Sequence, residues 1–228
     1  MQSFEEIHNR ALKRKGGEAA LKDKLPPTPL SNKKIVKQGD DRFLAEMTRC
    51  IFQAGFVWRV INNKWPDFET VFFNFDPLKM TLLSPEQLEN IGKDERIVRN
   101  MQKILTVPKN AQFILDTAKE HGSFAQFIAD WPCEDLIGLW QVLKKKGQRL
   151  GGMTGSRVLR NTGKDSFQLT GDVVHCLQLA GADIKDNPTS QRDLKIIQEV
   201  FNQWHEESGL PYAHISRICA CSTGENYQ

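Results

Sequence analysis

From Asp41 the chain takes on a helical rhythm: Phe43, Leu44, Met47, Ile51, Ala54, Gly55 and Trp58 recur at three- and four-residue steps. Elsewhere the pattern is punctuated by helix signals rather than strand signals. Ser3-x-x-Glu6 has the form of a capping box opening a short helix that Gly16-Gly17 closes. Ser84-Pro85-Glu86-Gln87 opens a second one, which ends near Gly92. Ile97, Val98, Met101, Ile104 and Leu105 predict a helix broken at Pro108, and Asn110–His121, Ser123–Asp130 and Cys133–Lys145 predict three more. The stretch from Thr189 to about Cys221 holds two, split by Ser208-Gly209-Leu210-Pro211. Sustained apolar–polar alternation and Asn-Gly or Asp-Gly hairpins are absent, so the pattern predicts an all-α protein of about ten helices. Residues 22–40 are polar and rich in proline and read as a loop or arm. The expected division is therefore an N-terminal helix and arm over 1–40 and a helical domain over 41–222.

Composition narrows this only a little. Of 228 residues, 39% are hydrophobic and 26% charged, the balance of a globular protein. No apolar run has the length to cross a membrane, and the charged N-terminus does not read as a secretory signal, so a cytoplasmic location is expected. The five cysteines form no CxxC pair and are expected to be reduced thiols. Net charge is only +3, but residues 142–160 carry Lys144, Lys145, Lys146, Arg149, Arg157 and Arg160 with no acidic residue. Such a stripe suits phosphates; it also suits a solvated helix end.

Within that stripe, GQRLGGMTG (147–155) lies between two helical patterns and predicts an αα-hairpin, about 133–161. The N–H groups opening its second helix lack intrahelical partners and can hold a phosphate, while flanking cations add salt-sensitive affinity. Candidate DNA-binding residues are Lys146, Gly147, Arg149, Gly151, Gly152, Thr154 and Arg157. Downstream, Thr170 reads as an N-cap and Asp172 falls in the first helical turn. A carboxylate there is favoured by the helix dipole; it could equally face a cleft and stabilise developing positive charge.

Basic helix, glycine hairpin, helix, loop and Asp in this order resemble the helix-hairpin-helix DNA glycosylase superfamily. In its endonuclease III-like members the hairpin reads L-P-G-x-G-x-K-x-A, with a catalytic Asp eighteen residues beyond the Lys. Laid over LGGMTGS, this pattern puts Gly152 at the second glycine, Thr154 at the Lys and Asp172 eighteen residues on, with Leu150 and Arg149 replacing the first glycine and the proline. That Lys is the nucleophile of strand-cutting members, so Thr154 implies a monofunctional enzyme. Four further motifs resemble the DNA-3-methyladenine glycosylase I family: Gln53-Ala54-Gly55-x-x-Trp58, Phe72-x-x-Phe75-Asp76-Pro77, Ile97-Val98-Arg99-Asn100-x-x-Lys103-Ile104, and Leu143-Lys144-Lys145-Lys146-Gly147 through Gly152 and Thr154.

The resemblance implies two helical lobes with a cleft between them, and a monomer acting on double-stranded DNA that contains alkylated bases. A flipped 3-methyladenine-like purine would be held by Trp58 and Gln53, with Phe52, Phe56 and Cys50 beside them. Asp172 would be the catalytic carboxylate near the sugar. Arg99, Asn100 and His175 lie in or near these motifs, and each has an ordinary structural reading too. Two departures stand out. Cys50 occupies the place of the family's pocket Glu, and His8, His214 and Cys219 do not supply the four ligands of its zinc clamp, so no metal and no cofactor are expected. A DNA-binding protein without catalysis, and a glycosylase for another damaged base, remain alternatives.

Overall fold

The computed structural model describes residues 1–224, whose regular elements are all helices, with no strand among them. In chain order come α1 (Phe4–Lys15), α2 (Glu18–Lys22), α3 (Asn32–Val36), α4 (Asp40–Gln53), α5 (Trp58–Asn63), α6 (Trp65–Val71), α7 (Pro77–Thr81) and α8 (Pro85–Lys93). They are followed by α9 (Met101–Ile104), α10 (Thr106–His121), α11 (Phe124–Asp130), α12 (Leu136–Lys146), α13 (Met153–Asn161), α14 (Gly171–Leu179), α15 (Gln191–Ser208) and α16 (Tyr212–Thr223). The two capping boxes form as their sequences require, at Ser3 with Glu6 and at Ser84 with Gln87, and Gly16 ends α1 in the left-handed conformation.

The structure departs from the sequence pattern at several points: sixteen α-helices are described where about ten were expected, the arm over 22–40 contains the short α3, and α4 ends at Gln53 instead of running on to Trp58. Ile97 and Val98 precede the helix rather than open it, because Asn100 caps α9 by accepting from the Lys103 N–H. Pro108 does not end a helix either. It sits in the first turn of α10, where its missing N–H has no intrahelical partner to lose.

The chain divides into two compact units, Met1–Pro29 with Pro132–Gly138 and the residues from Asp165 on, and Leu30–Trp131 with Leu139–Lys164. This partition differs from a break near residue 40, since α1 packs on α16. In the first unit Phe167 stacks on Phe201 at 4.2 Å, and the buried Asp165 carboxylate caps α16 through the N–H groups of Tyr212 (3.0 Å) and Ala213 (2.8 Å).

In the second unit α4 is the central element: Phe43, Leu44, Met47, Cys50, Ile51 and Phe52 are all buried along it. Trp65 stacks on Phe68 and Phe75, and Phe52 meets Phe68 edge-on. Phe73, Asn74 and Phe75 have φ of 50°, 56° and 58°. For side chains other than glycine this costs roughly 1–2 kcal/mol per residue. The aromatic stack holds Phe75, and Arg42, paired with Glu69, donates to the Asn74 carbonyl at 2.8 Å. Asp76 then caps α7 through Leu78 and Lys79, with Pro77 at its first position. The Phe72–Pro77 motif is thus a core-and-cap device.

Candidate nucleic-acid interface

The glycine hairpin forms between α12 and α13, and close packing dictates its sequence. A Cβ on Gly155 would stand 2.5 Å from the Leu150 carbonyl oxygen, and one on Gly147 would stand 2.8 Å from that of Leu143. Gly152, exposed with φ 59° and ψ −136°, occupies a conformation reserved for glycine. It is the N-cap of α13 and brings no side-chain oxygen to the N–H groups behind it. The fully buried Asn110 clamps the turn, accepting from the Gln148 N–H at 2.7 Å and donating to its carbonyl at 3.2 Å.

Of the hairpin residues singled out in the sequence, Lys146, Arg149 and Gly152 are exposed, and Thr154 is half-buried in the first turn of α13. Arg149, with φ 57°, donates to Gln102 at 2.9 Å. Gly147 is buried, and the half-buried Gly151 lies against the aliphatic stem of Lys144. Arg157 lies one turn into α13, with its guanidinium 4.4 Å over the ring of Trp58.

Trp58 belongs to the wall that follows α4. The last carbonyls of α4 would be unpaired, but Lys103 donates to Phe52 O (3.1 Å) and Ala54 O (2.7 Å). Burial and the nearby Arg149 hold that ammonium below its ordinary pKa, yet its position at a helix C-terminus suits a cation. Gly55, with φ 69°, turns the chain outward, leaving Phe56 44% and Trp58 47% exposed. Gln53 is only 5% exposed and its Nε2 donates to Asn62 at 3.0 Å. Phe52 is wholly buried against Phe68, so it lines the core and not a pocket.

Cys50 is also wholly buried, and its thiol donates to Glu46 Oε1 at 3.3 Å. Burial first, and then the Glu46 charge, push the thiol pKa far up, so Cys50 is neutral at physiological pH. Glu46, one turn earlier on the same face, also accepts from Asn161 Nδ2 at 2.7 Å. Its other oxygen is 3.8 Å from Arg49, whose guanidinium covers Trp65 at 4.3 Å. Glu46, Asn161, Asn110 and Asn62 were not apparent as site residues from the sequence; only the four-residue step from Glu46 to Cys50 hinted at one of them.

Asp172 lies in the other unit, exposed in the first turn of α14, where Thr170 caps the helix through Val173 N. Its main-chain oxygen accepts from Thr223 Oγ1 at 2.7 Å, and a Cβ on Gly224 would stand 2.5 Å from its Oδ2. His175 is exposed on the same helix. Asn100 acts as a cap and Arg99 pairs with Glu95 at 3.2 Å on the surface, the structural readings of both. The residues that echo a zinc clamp do not fit one. His214 Nε2 engages the Pro26 carbonyl at 3.0 Å, which fixes that nitrogen as a donor, and Cys219 is buried beside Cys176. No cluster of three His, Cys, Asp or Glu suited to a metal occurs among the described residues.

The model of the methyladenine glycosylase family matches residues 35–155, which carry both the Gln53–Trp58 wall and the hairpin. The chain belongs to the methyladenine glycosylase family. The match ends before Asp172. DNA-3-methyladenine glycosylase 1 of Escherichia coli K12 is 30% identical over 95 residues, 41% of this chain and 50% of that protein. The chain thus matches about half the length of this curated relative. Among solved structures, the 3-methyladenine DNA glycosylase I of Staphylococcus aureus superposes with a TM-score of 0.50 at 20% identity, covering 61% of this chain and 80% of the other. The 8-oxoguanine DNA glycosylase of Methanocaldococcus jannaschii gives 0.54 at 15% identity, covering 92% and 90%. These likenesses show the helical DNA glycosylase fold. No helix among the described residues is long and apolar enough to cross a membrane.

Proposed function

We propose that this methyladenine glycosylase family member is a monofunctional DNA glycosylase that removes an alkylated purine of the 3-methyladenine kind from double-stranded DNA. The observation that carries the reading is the contact of Arg157 with Trp58, which joins the DNA-gripping hairpin to the exposed aromatic wall within one compact unit. The curated relative bears the same activity in its name. The steps follow from the residues. Phosphates bind the N–H groups behind Gly152 with Lys146 and Arg149 alongside. The flipped base stacks on Trp58, with the Gln53 amide beside it. An N3-alkylated adenine is cationic and leaves readily, so the chemistry asks chiefly for a carboxylate to stabilise oxocarbenium charge on the sugar, a role assigned to Asp172. Thr154 offers no amine to attack the sugar, so the product is an abasic site in an intact strand.

The deciding experiment incubates the protein with DNA treated with a methylating agent and identifies each freed base by mass. Release of 3-methyladenine is expected. DNA binding with no base released would make the protein a non-catalytic helix-hairpin-helix binder, and release of a different base alone would reassign the lesion.

A further inference from the structure

Gly224 stands between a cation and a carboxylate. Its carbonyl accepts from Arg14 Nη2, and its Cα is so close to Asp172 that a Cβ there would stand 2.5 Å from Oδ2 and 2.7 Å from Cγ. The Ala220 carbonyl oxygen would be 2.8 Å away. A φ of −62° with ψ 158° is open to any residue, so space and not backbone conformation calls for glycine. Thr223 Oγ1, at the same end of α16, holds the Asp172 main-chain oxygen at 2.7 Å. One turn before Arg14, Arg10 donates to Ser222 Oγ (3.4 Å) on α16 and to Cys176 Sγ (3.8 Å) on α14. Three helices of one compact unit, α1, α14 and α16, therefore meet around Asp172.

Packing explains part of this arrangement. Cations in the last turn of α1 suit its dipole, and Arg14 satisfies a carbonyl just past the end of α16. It leaves the rest unexplained. Among the described residues, Nη2 is the one nitrogen of Arg14 with a partner, Lys13 Nζ has none, and Arg14 forms no ion pair with Asp172 although a single residue separates them. Both cationic side chains are exposed. With Asn9 and Arg10 they line an open depression of about 540 Å³, and its one carboxylate, Glu6, is turned to the Ser3 N–H at 3.0 Å. A carboxylate at a nucleotide's sugar stands beside that nucleotide's phosphates, which repel it. A guanidinium one residue away, with most of its fork open, offsets that repulsion and grips a phosphate by charge-assisted hydrogen bonds.

We infer that Arg14, with Lys13 beside it, binds a backbone phosphate flanking the sugar that Asp172 faces. The inference rests on the glycosylase reading and on the part of Asp172 in it. It adds to the hairpin a second DNA contact, on the unit that carries Asp172 and outside residues 35–155 of the family match.

The test uses duplexes that carry a tetrahydrofuran analogue of the abasic product, with the phosphate on its 5′ or its 3′ side replaced by a neutral methylphosphonate. Affinities of the full chain, Arg14→Gln and Lys13→Gln are read by fluorescence anisotropy. For the parent, one of the two replacements should weaken binding roughly tenfold, the scale of a hydrogen bond to a charged group. For Arg14→Gln the same replacement should cost less than about twofold, because its partner has already gone. Lys13→Gln breaks no contact within the protein and decides the matter should Arg14→Gln not fold; the replacement should cost it less than it costs the parent. A parent indifferent to both replacements, or a variant that loses as much as the parent at both, overturns the inference. The glycosylase reading is judged separately, by release of 3-methyladenine from methylated DNA. A parent that releases base while the losses stay additive overturns the inference alone; one that releases no base overturns the glycosylase reading, and the inference with it.

Discussion

Arg157 and Trp58 form a cation–π pair in which the guanidinium lies 4.4 Å over an indole ring that is still 47% exposed. A base stacking on that face must displace Arg157, and the exchange is worth roughly 0.5–1 kcal/mol at an exposed site. Arg157→Ala should therefore bind free 3-methyladenine about two- to fivefold more tightly in the absence of DNA, by that same magnitude. Titration followed by tryptophan fluorescence measures this. Unchanged or weaker binding would mean that the base uses another surface.

Trp58→Ala removes the stacking platform itself. Base–aromatic stacking is worth about 1–3 kcal/mol, so release should fall between roughly fivefold and 150-fold. Thermal stability should change little, since a half-exposed ring contributes less to the core than a buried one. Phe52→Ala makes the instructive contrast. Phe52 is wholly buried against Phe68, and its truncation should cost about 3–5 kcal/mol of stability whatever it does to activity. Urea unfolding of the two variants separates the roles.

That contrast shows what the sequence could and could not carry. Helical spacing places Phe52, Phe56 and Trp58 together, but it does not tell which ring faces inward; the turn at Gly55 decides that. Caps such as Ser3–Glu6, Ser84–Gln87 and Thr170 were legible because capping is local chemistry. The left-handed run at Phe73–Phe75 was not, because it persists only through the distant Arg42 and Trp65. Glu46 escaped notice for a related reason. Its tie to α13 comes from Asn161, 115 residues away, and no local pattern announces such a partner.

The hairpin should show itself in the salt dependence of DNA binding. Lys146→Gln and Arg149→Gln should each lower the slope of log affinity against log salt by about 0.9 for every phosphate contact removed. Gly152→Ala acts differently. Its φ of 59° with ψ −136° is strained for any side chain, costing about 1–3 kcal/mol, and the variant should lose both stability and affinity. Anisotropy titrations across a salt series distinguish the two behaviours. A slope unaltered by either cation change would place the phosphates elsewhere.

With Thr154 in its first turn, α13 carries no lysine amine to form a Schiff base. Borohydride added during reaction with abasic DNA should trap no covalent complex, and the strand should stay intact until alkali is applied. A trapped adduct would identify a lysine nucleophile. Lys103 would be the first to test, since burial lowers its pKa and so makes its neutral form more available.

Asp172→Asn isolates the assigned sugar carboxylate. The asparagine keeps the size of the side chain and leaves the main-chain oxygen free to accept from Thr223 Oγ1 as before. Cap stability should consequently change by no more than the few tenths of a kcal/mol typical of a charge near a helix N-terminus. If Asp172 stabilises oxocarbenium charge, its neutral isostere should slow base release on the order of 100-fold or more. Duplex affinity should remain near the parent value, because a carboxylate contributes nothing to phosphate binding. Single-turnover release and anisotropy on the same preparation give both quantities. A variant that releases base at the parental rate would remove Asp172 from the chemistry.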